Sequence, residues 1–436
     1  MLLTLRTDAS GKKVCSVQTE RKIKMALIVQ KFGGTSVGTV EKINHAADRV
    51  IEEKKKGNDC VVVVSAMGQT TDQLIQLAKE ISSKPPEREL DMLLATGEQV
   101  AGALFAMALQ NKGYAAVSLT GWQAGIQTEA VFGKARIMHI DAKRIEKELA
   151  EGKIVVVAGF QGVTDTGEIA TLGRGGSDTT AVALAAALKA DKCDIYTDVT
   201  GVFTTDPRFI KGARKLKQIS YDEMLELANL GAGVIHPRAV ELAKNYQIPL
   251  EIRSSAEREE GTIIGEESDM EENLIVRGVA FEDDVTKVTV LGLPKSTTSL
   301  STIFTTLARY NINVDIIIQS TTEDNIANLS FSIHTKDMEE TYAALENNKT
   351  ALNYESIQFE SNLAKVSIVG SGMISNPGVA AQMFEALASD QIPIKMVSTS
   401  EIKVSAVVPK EKMIRAAEIL HRTFNLEKAS SAELVQ

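Results

Sequence analysis

Between Leu27 and about Ile264, short runs of apolar, often β-branched residues alternate with segments of helical periodicity. Such alternation predicts a parallel-rich α/β sheet with helices on both faces. The apolar runs predict strands at 26–29, 61–64, 115–119, 154–160, 195–199 and 249–253. The other patterns predict helices at 39–56, 72–82, 87–110, 141–151, 178–190, 221–230 and 238–246. Ligands are expected at the carboxyl ends of the strands, beside the loops after Val29, Val64, Phe160 and Val199.

The pattern changes after the acidic stretch 266–272, which has no apolar periodicity and is predicted to be a linker. Beyond it an internal repeat appears: Ser301–Ala308 matches Ala381–Ala388, and Asn311–Ser320 matches Gln391–Ser400. Each copy has the order strand, helix, strand, strand, helix, which predicts two small α+β modules packed together. Their sheets would have open edges, and pairing of edges within or between chains is the expected way to cover them.

Length and composition restrict the class of protein. A chain of 436 residues exceeds one ordinary core, so two or three domains are expected. The net charge of −9, without a basic run interleaved with aromatics, argues against nucleic-acid binding. The apolar stretches are interrupted before about 18 residues, which argues against a membrane span. Three cysteines, at 15, 60 and 193, lie in no metal or redox spacing and indicate a reducing, cytoplasmic environment.

Residues 1–24 are predicted to be a disordered extension, because their short apolar run is followed by scattered charges. Met25 directly precedes the first strand and is a candidate natural start.

The stretch Lys31–Gly38 follows the first strand and has the composition of a phosphate loop. Its glycines allow the backbone N–H groups to approach an anion, and Thr35 and Ser36 add hydroxyl donors. Lys31 supplies a mobile positive charge. The spacing matches neither the P-loop nor the dinucleotide fingerprint, so a tight strand–helix turn with a surface lysine is the simpler interpretation of this stretch alone.

Two Gly- or Thr-rich stretches follow later strands. In Thr171–Thr180, Ser177 or Asp178 is the expected N-cap of a helix, and the guanidinium of Arg174 beside that helix start suits a carboxylate or phosphate. Tyr196–Arg208 begins at a strand end and continues into a loop, where nucleotide contacts are expected. The Asp-Pro pair within it is equally well explained as a simple turn.

Glu98 lies in a predicted helix that is otherwise rich in Leu, Ala, Val and Met. A buried carboxylate needs a partner, and a cationic ligand group is one candidate. Ser65 and Thr71, after the strand at 61–64, would add hydroxyls at the same end of the sheet. The five histidines have no metal-ligand spacing and are predicted to have structural or surface roles.

Together these residues resemble the aspartate kinases. The resemblance rests on Lys31–Val37, Gly97-Glu98, Gly173–Asp178, Thr197-Asp198 and the paired C-terminal modules, and it covers nearly all of 25–436. The first half is similar to the amino-acid kinase family, and the repeats are similar to tandem ACT domains, which bind amino acids as effectors. The resemblance implies a catalytic domain at 25–265, a linker at 266–274 and βαββαβ modules at 275–361 and 362–436, with a strand at 276–281 completing the second module.

The implied reaction transfers the γ-phosphoryl group of ATP, accompanied by Mg²⁺, to the β-carboxylate of L-aspartate. The product, 4-phospho-L-aspartate, would begin lysine, threonine and methionine biosynthesis through diaminopimelate. The implied catalytic residues are Lys31, Arg174 and Asp178. The implied aspartate-binding residues are Ser65, Thr71, Glu98, Arg174 and Ser177. The implied nucleotide-binding residues are Lys31, Phe32, Gly33, Gly34, Thr35, Ser36, Thr197, Asp198, Phe203, Asp206 and Arg208. No metal ligand from the protein is implied.

The resemblance also implies regulation. Lysine is the expected effector, with threonine as a second candidate, and it would bind between paired copies of the modules in a homodimer or a dimer of dimers. The implied effector-binding residues are Ser299, Asn313, Asp315, Gln319, Ser398, Thr399 and Glu401.

Two positions depart from the family pattern. Gly233 stands where many relatives have a lysine that reaches the nucleotide, and Phe203 stands where some have tyrosine. Arg208, Lys211 or a second metal are candidate replacements for that lysine. A catalytically silent ACT sensor and a related kinase for glutamate or N-acetylglutamate remain as alternative hypotheses.

Overall fold

The computed structural model describes residues 3–7, 13–17, 26–266, 275–294, 296, 298–321 and 326–427, with side chains from 26 onward except that of Thr321. The strands are β1 (Leu3–Thr7), β2 (Lys13–Val17), β3 (Leu27–Phe32), β4 (Asp59–Val64), β5 (Ala116–Leu119), β6 (Ile126–Thr128), β7 (Ile137–Ile140), β8 (Ile154–Ala158), β9 (Gln161–Val163), β10 (Ile169–Thr171), β11 (Lys192–Thr197), β12 (Gln218–Ser220), β13 (Leu250–Ser254), β14 (Thr262–Gly265), β15 (Gly278–Pro294), β16 (Ile317–Thr321), β17 (Ile326–Ile333), β18 (Ser356–Val369), β19 (Met396–Thr399) and β20 (Lys403–Pro409).

The helices are α1 (Val40–Lys55), α2 (Thr70–Ile81), α3 (Glu87–Asn111), α4 (Lys143–Ala150), α5 (Gly176–Leu188), α6 (Tyr221–Asn229), α7 (Pro237–Tyr246), α8 (Ser299–Arg309), α9 (Met338–Asn347), α10 (Lys349–Leu352), α11 (Val379–Ser389) and α12 (Met413–Thr423). In the first 265 residues these helices overlap all seven predicted helical segments, and β3, β4, β5, β8, β11 and β13 overlap the predicted strands.

An eight-stranded sheet, in the order β12-β14-β13-β11-β3-β4-β8-β5, forms the centre of the N-terminal domain. Its neighbouring strands run parallel except for β13 and β14, so the predicted α/β class is confirmed. The valines of β4 show why its sequence is continuously apolar. Val61 and Val63 belong to the core under α5 and α7, whereas Val62 and Val64 belong to the core under α1 and α3. The strands β11, β3, β4 and β8 are parallel neighbours, so the loops after them lie together at the carboxyl ends of the strands.

A second, four-stranded sheet in the order β10-β9-β6-β7 lies beside these carboxyl ends and was not predicted. Its strands are only three or four residues long, too short to show a distinct apolar pattern.

The C-terminal modules share one antiparallel sheet in the order β16-β17-β15-β18-β20-β19. The long strands β15 and β18 pair from Gly278 opposite Val369 to Leu291 opposite Ser356, so both run through the two modules. The first part of β15 packs in the second module, where Val279 joins the core of α11 and α12, and its second part packs in the first module with α8 and α9. The strand expected at 276–281 therefore begins at Gly278 and lies beside the second module.

Three expectations need correction. Leu3–Thr7 and Lys13–Val17 form an antiparallel pair, so these two segments are not without secondary structure. The helix α3 is long and apolar enough to cross a bilayer, contrary to the sequence-based exclusion, although half of its most apolar window is buried in the protein. The cap of α5 is neither Ser177 nor Asp178, because a turn at Gly173–Gly176 starts the helix earlier. The predicted linker lies largely outside the described residues.

Candidate active site

An ion pair lies at the carboxyl ends of the central strands, where the loops after β11, β3, β4 and β8 come together. Lys31, near the end of β3, places its Nζ 2.6 Å from Oδ1 of Asp178 in the first turn of α5, and both side chains are about nine-tenths buried. The other oxygen, Oδ2, accepts a long hydrogen bond of 3.4 Å from the backbone N–H of His236. His236 caps α7, and the sequence did not indicate its contact with the site. The two contacts hold the Lys31 ammonium over Gly33, where a Cβ would lie 3.3 Å from Nζ.

The predicted phosphate loop forms a 3-10 turn, Gly34–Val37, after β3. The first N–H groups of such a turn have no acceptor within it and can face an anion. Gly34 is packed against the loop after β4, because a Cβ at this position would lie 2.9 Å from the carbonyl oxygen of Ala66. The Gly68 N–H in turn donates to the Gly34 carbonyl at 3.0 Å. The two loops therefore form one rigid unit beside Lys31.

Glu98 of α3 reaches the same loop from the opposite side. Its Oε1 accepts the Ala66 N–H at 3.1 Å, and the side chain is 3% exposed. Gly97 allows this approach, since a Cβ there would lie 2.8 Å from the Ala66 Cβ. Burial raises the pKa of Glu98 to about 7, and the hydrogen bond from Ala66 only partly opposes this shift. Oε2 is buried and has no hydrogen-bond partner among the described residues, so a cationic ligand group would satisfy it.

Asp91, two turns earlier on α3, was not identified from the sequence. Its carboxylate accepts the Thr171 hydroxyl and N–H, both at 2.7 Å, and the Gly133 N–H at 2.9 Å. These bonds fix the end of β10 against α3, directly before Arg174. Arg174 is exposed in the turn before α5 and has no hydrogen bond or ion pair within the described part of the chain. Asp91 could have been found by the argument used for Glu98, a carboxylate in an apolar helix.

Three residues with side-chain hydroxyls were predicted to bind aspartate, namely Ser65, Thr71 and Ser177. Ser177 is buried in the first turn of α5, and a Cβ on Gly159, after β8, would lie 2.8 Å from its Oγ. Ser65 follows β4 and donates its N–H to the Phe32 carbonyl at 3.1 Å. Thr71 is half-buried in the first turn of α2. The residues predicted to bind aspartate thus lie in the loop after β4, in α2 and α3, in the first turn of α5 and in the turn before it.

Five of the predicted nucleotide-binding residues line a cavity of about 480 Å³, namely Thr197, Asp198, Phe203, Asp206 and Arg208, whereas those at 31–36 are not among its lining residues. The cavity begins at Thr197 and Asp198, after β11, next to the Gly33 N–H that donates to the Tyr196 carbonyl at 3.2 Å. Phe203, Asp206 and Arg208 line it, as do 231–234 after α6, which include the Gly233 position noted in the sequence, and 279–281 of β15, which the sequence did not indicate. A larger groove of about 820 Å³ lies between β7, α5 and α7 and contains none of the predicted site residues.

Within this cavity, Arg208 forms a bidentate pair with Asp206 at 3.0 and 2.6 Å, and these hydrogen bonds lower the pKa of the Asp206 carboxyl. The predicted turn is present, since the Phe209 and Ile210 N–H groups donate to the Asp206 carbonyl. Gly233 has a φ of 65°, a conformation in which a lysine would be strained. The Gly233 departure therefore matches the local backbone, and Arg208 is the candidate replacement that lines the cavity.

The predicted effector residues do not form one site within a single chain. Gln319 is in β16, whereas Ser398 and Thr399 are in β19, at opposite edges of the shared sheet. Asn313 and Asp315 line a separate cavity of about 330 Å³ that faces α6. There Asp315 is paired with Lys365 at 2.5 Å. The two remaining residues, Ser299 at the start of α8 and Glu401 after β19, lie in different modules.

Comparisons with known proteins agree with this architecture. A model of the amino acid kinase family matches residues 26–254, and models of the ACT domain match 297–349 and 366–424. An aspartokinase of Bacillus sp. (strain MGA3) is 73% identical over 402 residues, which are 92% of this chain and 98% of that protein. Aspartokinase 2 of Bacillus subtilis (strain 168) is 68% identical over 408 residues, which are 94% of this chain and all of that protein.

Solved structures of an aspartokinase are also similar to this chain. E. coli aspartokinase III in complex with aspartate and ADP, described as the R-state, is 28% identical to this chain with a TM-score of 0.77. The matched region is 91% of this chain and 99% of the E. coli chain. The same protein in complex with lysine and aspartate, described as the T-state, is 28% identical with a TM-score of 0.72 over the same shares of the two chains.

Proposed function

Because the chain belongs to the aspartate kinases of the amino acid kinase family, we propose that it transfers the γ-phosphoryl group of ATP to the β-carboxylate of L-aspartate, forming 4-phospho-L-aspartate. The observation that carries this proposal is the position of the Lys31–Asp178 pair. Lys31 lies on β3, between β4, whose following loop is bonded to Glu98, and β11, whose end opens the cavity at Thr197. A basic group at that junction is where two anionic substrates would meet.

The residues divide into a substrate side and a nucleotide side. On the substrate side, the unsatisfied Glu98 oxygen suits the α-ammonium of aspartate, and exposed Arg174 suits its α-carboxylate. Ser65, Thr71 and Ser177 would add hydroxyl contacts. On the nucleotide side, the N–H groups of Gly34 and Thr35, at the start of the turn, would hold phosphate oxygens, and 197–208 would hold the rest of the nucleotide.

The proposed reaction needs no general acid or base from the protein. A carboxylate acceptor is already a nucleophile, so catalysis depends on aligning it with the γ-phosphorus and on neutralising the repulsion between two anions. The Lys31 ammonium supplies fixed positive charge where negative charge develops, and Asp178 keeps that ammonium in place. No step requires a histidine base, which fits the capping role of His236.

Mg²⁺ fits this donor set as an ion carried mainly by the nucleotide. Among the described residues no group of three or more His, Cys, Asp or Glu side chains forms a metal cage. Magnesium commonly uses one or two carboxylates together with substrate phosphates, and Asp178, paired with Lys31, and Asp198, in the cavity wall, are the carboxylates that would be available to it. When bound, the ion would supply charge neutralisation at the transferring phosphoryl group.

We further propose feedback control by lysine, with threonine as a second candidate effector, in a homodimer or a dimer of dimers. The predicted effector residues on β16 and β19 can meet only if the open edges of two sheets pair. Titration of lysine and threonine, separately and together, tests this. Mutual strengthening of the two ligands would show coupled sites, because coupling between binding sites is reciprocal. Activity that ignores both amino acids would contradict it.

We also propose that the product enters lysine, threonine and methionine biosynthesis, and that the protein works in the cytoplasm. Support for a reducing environment comes from Cys60 and Cys193, which are buried free thiols. Burial raises the pKa of Cys60 to about 12 and that of Cys193 well above its usual value.

A hydroxamate assay with L-aspartate and MgATP tests the reaction. We expect aspartyl hydroxamate with the wild-type protein and none above background with Lys31→Ala, because the variant loses the charge at the junction. Lys143→Ala is the matched control, since Lys143 is an exposed lysine of α4. Hydroxamate formed only with glutamate or N-acetylglutamate would favour a related kinase. No product with any acceptor or effector would favour a catalytically silent sensor.

A further inference from the structure

The segment 203–216, whose first residues line the nucleotide-side cavity, packs against the second ACT module. Its Ile210 is 4% exposed and belongs to the hydrophobic core of that module, together with Leu420 of α12 and Val279 of β15. A residue from the kinase half thus fills space in the core of the regulatory half. The position of this segment depends on the packing of the second module.

Thr204 makes the polar part of this connection. It is fully buried, and its carbonyl accepts the Val279 N–H at 2.7 Å. Its hydroxyl lies 2.8 Å from Nε2 of His421 on α12. The Arg214 N–H donates to the same hydroxyl oxygen at 2.9 Å, which leaves the hydroxyl hydrogen free to donate to Nε2. Thr204 is therefore bonded to two elements of the second module at once.

His421 is suited to accept this bond because its burial favours the neutral imidazole. The imidazole is fully buried, and burial lowers its pKa, with a further lowering by Arg214 that Glu427 opposes. A neutral imidazole has one acceptor nitrogen, which the Thr204 hydroxyl can fill.

The second module also supplies part of the cavity wall. Residues 279–281 of β15 line the cavity opposite Asp198, and Phe281 packs edge-to-face on Phe209 with ring centroids 5.6 Å apart. Thr204 precedes Asp206 and Arg208, which line the same cavity, by two and four residues. A shift of β15 or α12 would move the wall and the loop together.

We propose that His421 is a positioning residue of the nucleotide site, and that the second ACT module is a structural part of that site. The proposal rests on the nucleotide role proposed above for 197–208. Through Thr204, His421 fixes the loop that carries Asp206 and Arg208. Nucleotide affinity then depends on the module, whereas aspartate binding at Glu98 on α3 does not depend on it.

Steady-state kinetics of His421→Leu and Thr204→Val in the full-length protein test this. Each variant loses the buried hydrogen bond, so we expect the KM for ATP to rise about fivefold with the KM for aspartate unchanged. Titration of each variant with MgADP should show the same loss of affinity. The double variant should be no worse than Thr204→Val, because that substitution already removes the bond to His421, together with the one from the Arg214 N–H. In His421→Gln the amide can reach the Nε2 position, and we expect most of the ATP affinity to return.

The matched control is Leu345→Ala, which removes a fully buried side chain from the core of the first module. We expect it to lower the melting temperature while leaving the KM for ATP unchanged. If His421→Leu does not fold, Thr204→Val and His421→Gln carry the test. Folded variants with a wild-type KM for ATP, or with equal changes in both KM values, would overturn the inference. A wild-type protein that binds no MgADP and forms no aspartyl hydroxamate would instead overturn the proposed function.

Discussion

At the scale of single residues, two buried carboxylates on α3 have opposite environments. Asp91 is surrounded by donors from Thr171 and Gly133, so its charge is satisfied within the protein. Glu98 has one N–H donor and one oxygen without a partner among the described residues. The first carboxylate therefore holds structure together, and the second has capacity for a ligand. Both lie in an apolar helix, and only their surroundings distinguish the two roles.

The raised pKa of Glu98 has a consequence for pH dependence. An exposed glutamate ionises near 4.5, and burial raises this pKa to about 7. Between these values the folded protein keeps a proton that the unfolded chain has lost, so the free energy of unfolding should fall as pH rises through this range. Affinity for the aspartate ammonium should rise over the upper part of the same range, as the carboxylate ionises.

Glu98→Gln should remove both pH dependences. It should also raise the KM for aspartate by at least about tenfold, because a hydrogen bond between charged groups is lost. The KM for ATP is the internal control and should not change. Kinetics between pH 6 and 8 and urea unfolding between pH 5 and 8 provide the measurements. A variant that keeps the wild-type pH dependence of the KM for aspartate would show that another group controls it.

Gly34→Ala tests the contact between the two loops beside Lys31. The new Cβ would lie 2.9 Å from the Ala66 carbonyl oxygen, which is backbone and cannot turn aside. We expect kcat/KM to fall by about one to two orders of magnitude through displacement of the phosphate turn. Gly265→Ala in β14 is the control, because a Cβ there meets nothing within 4 Å. Equal activity of the two variants would mean that the turn tolerates the shift.

At the scale of elements, α6 connects the two halves of the chain. At its start, Glu223 forms a capping box with Ser220, and its Oε1 accepts the Ser371 N–H and hydroxyl, both at 2.9 Å, from the second ACT module. One turn later, Glu226 pairs with Lys403 of β20 at 2.9 Å. The residues after its end, 231–234, line the nucleotide cavity. One short helix thus touches both the regulatory sheet and the cavity.

Glu223→Ala should lower the free energy of unfolding by about 3 kcal/mol or more, because it removes a carboxylate that is 1% exposed and that joins α6 to the second ACT module through hydrogen bonds. Glu223→Gln, which keeps the shape, should cost about 1 kcal/mol. Glu226→Ala is the control and should cost at most about 1 kcal/mol, since its pair is partly exposed. Urea unfolding measures all three. Similar losses for Glu223→Ala and Glu226→Ala would contradict the proposed junction.

At the scale of the whole molecule, the shared C-terminal sheet ends in two edge strands, each paired on one side only among the described residues. β16 exposes half of Ile317 and more than a third of Ile318, and β19 forms the opposite edge. Apolar side chains on an open edge favour pairing with another sheet. The repeat makes the two edges equivalent in sequence, since Asn311–Ser320 matches Gln391–Ser400. Pairing between copies would place the predicted effector residues of the two modules together.

Ile317→Lys should weaken this association, because a charge on an edge strand opposes pairing. We expect a smaller particle in light scattering after gel filtration, weaker inhibition by lysine and unchanged activity without effector. Ile263→Lys is the control, because Ile263 is similarly exposed but lies on β14 in the kinase half. A variant that keeps the wild-type mass would show that the copies do not associate through β16.

The sequence by itself determined the alternation of strands and helices, the two-copy repeat and the chemical types at the site, because periodicity and residue type are local properties. Lys31, Glu98, Arg174 and Asp178 could be selected in this way. Only the tertiary structure decided which groups meet, since the contacts between Lys31 and Asp178 and between His421 and Thr204 join residues 147 and 217 positions apart. It also decided that the regulatory modules share β15 and β18 and that Gln319 and Thr399 lie at opposite edges. Such placement depends on packing between distant segments, which no local pattern encodes.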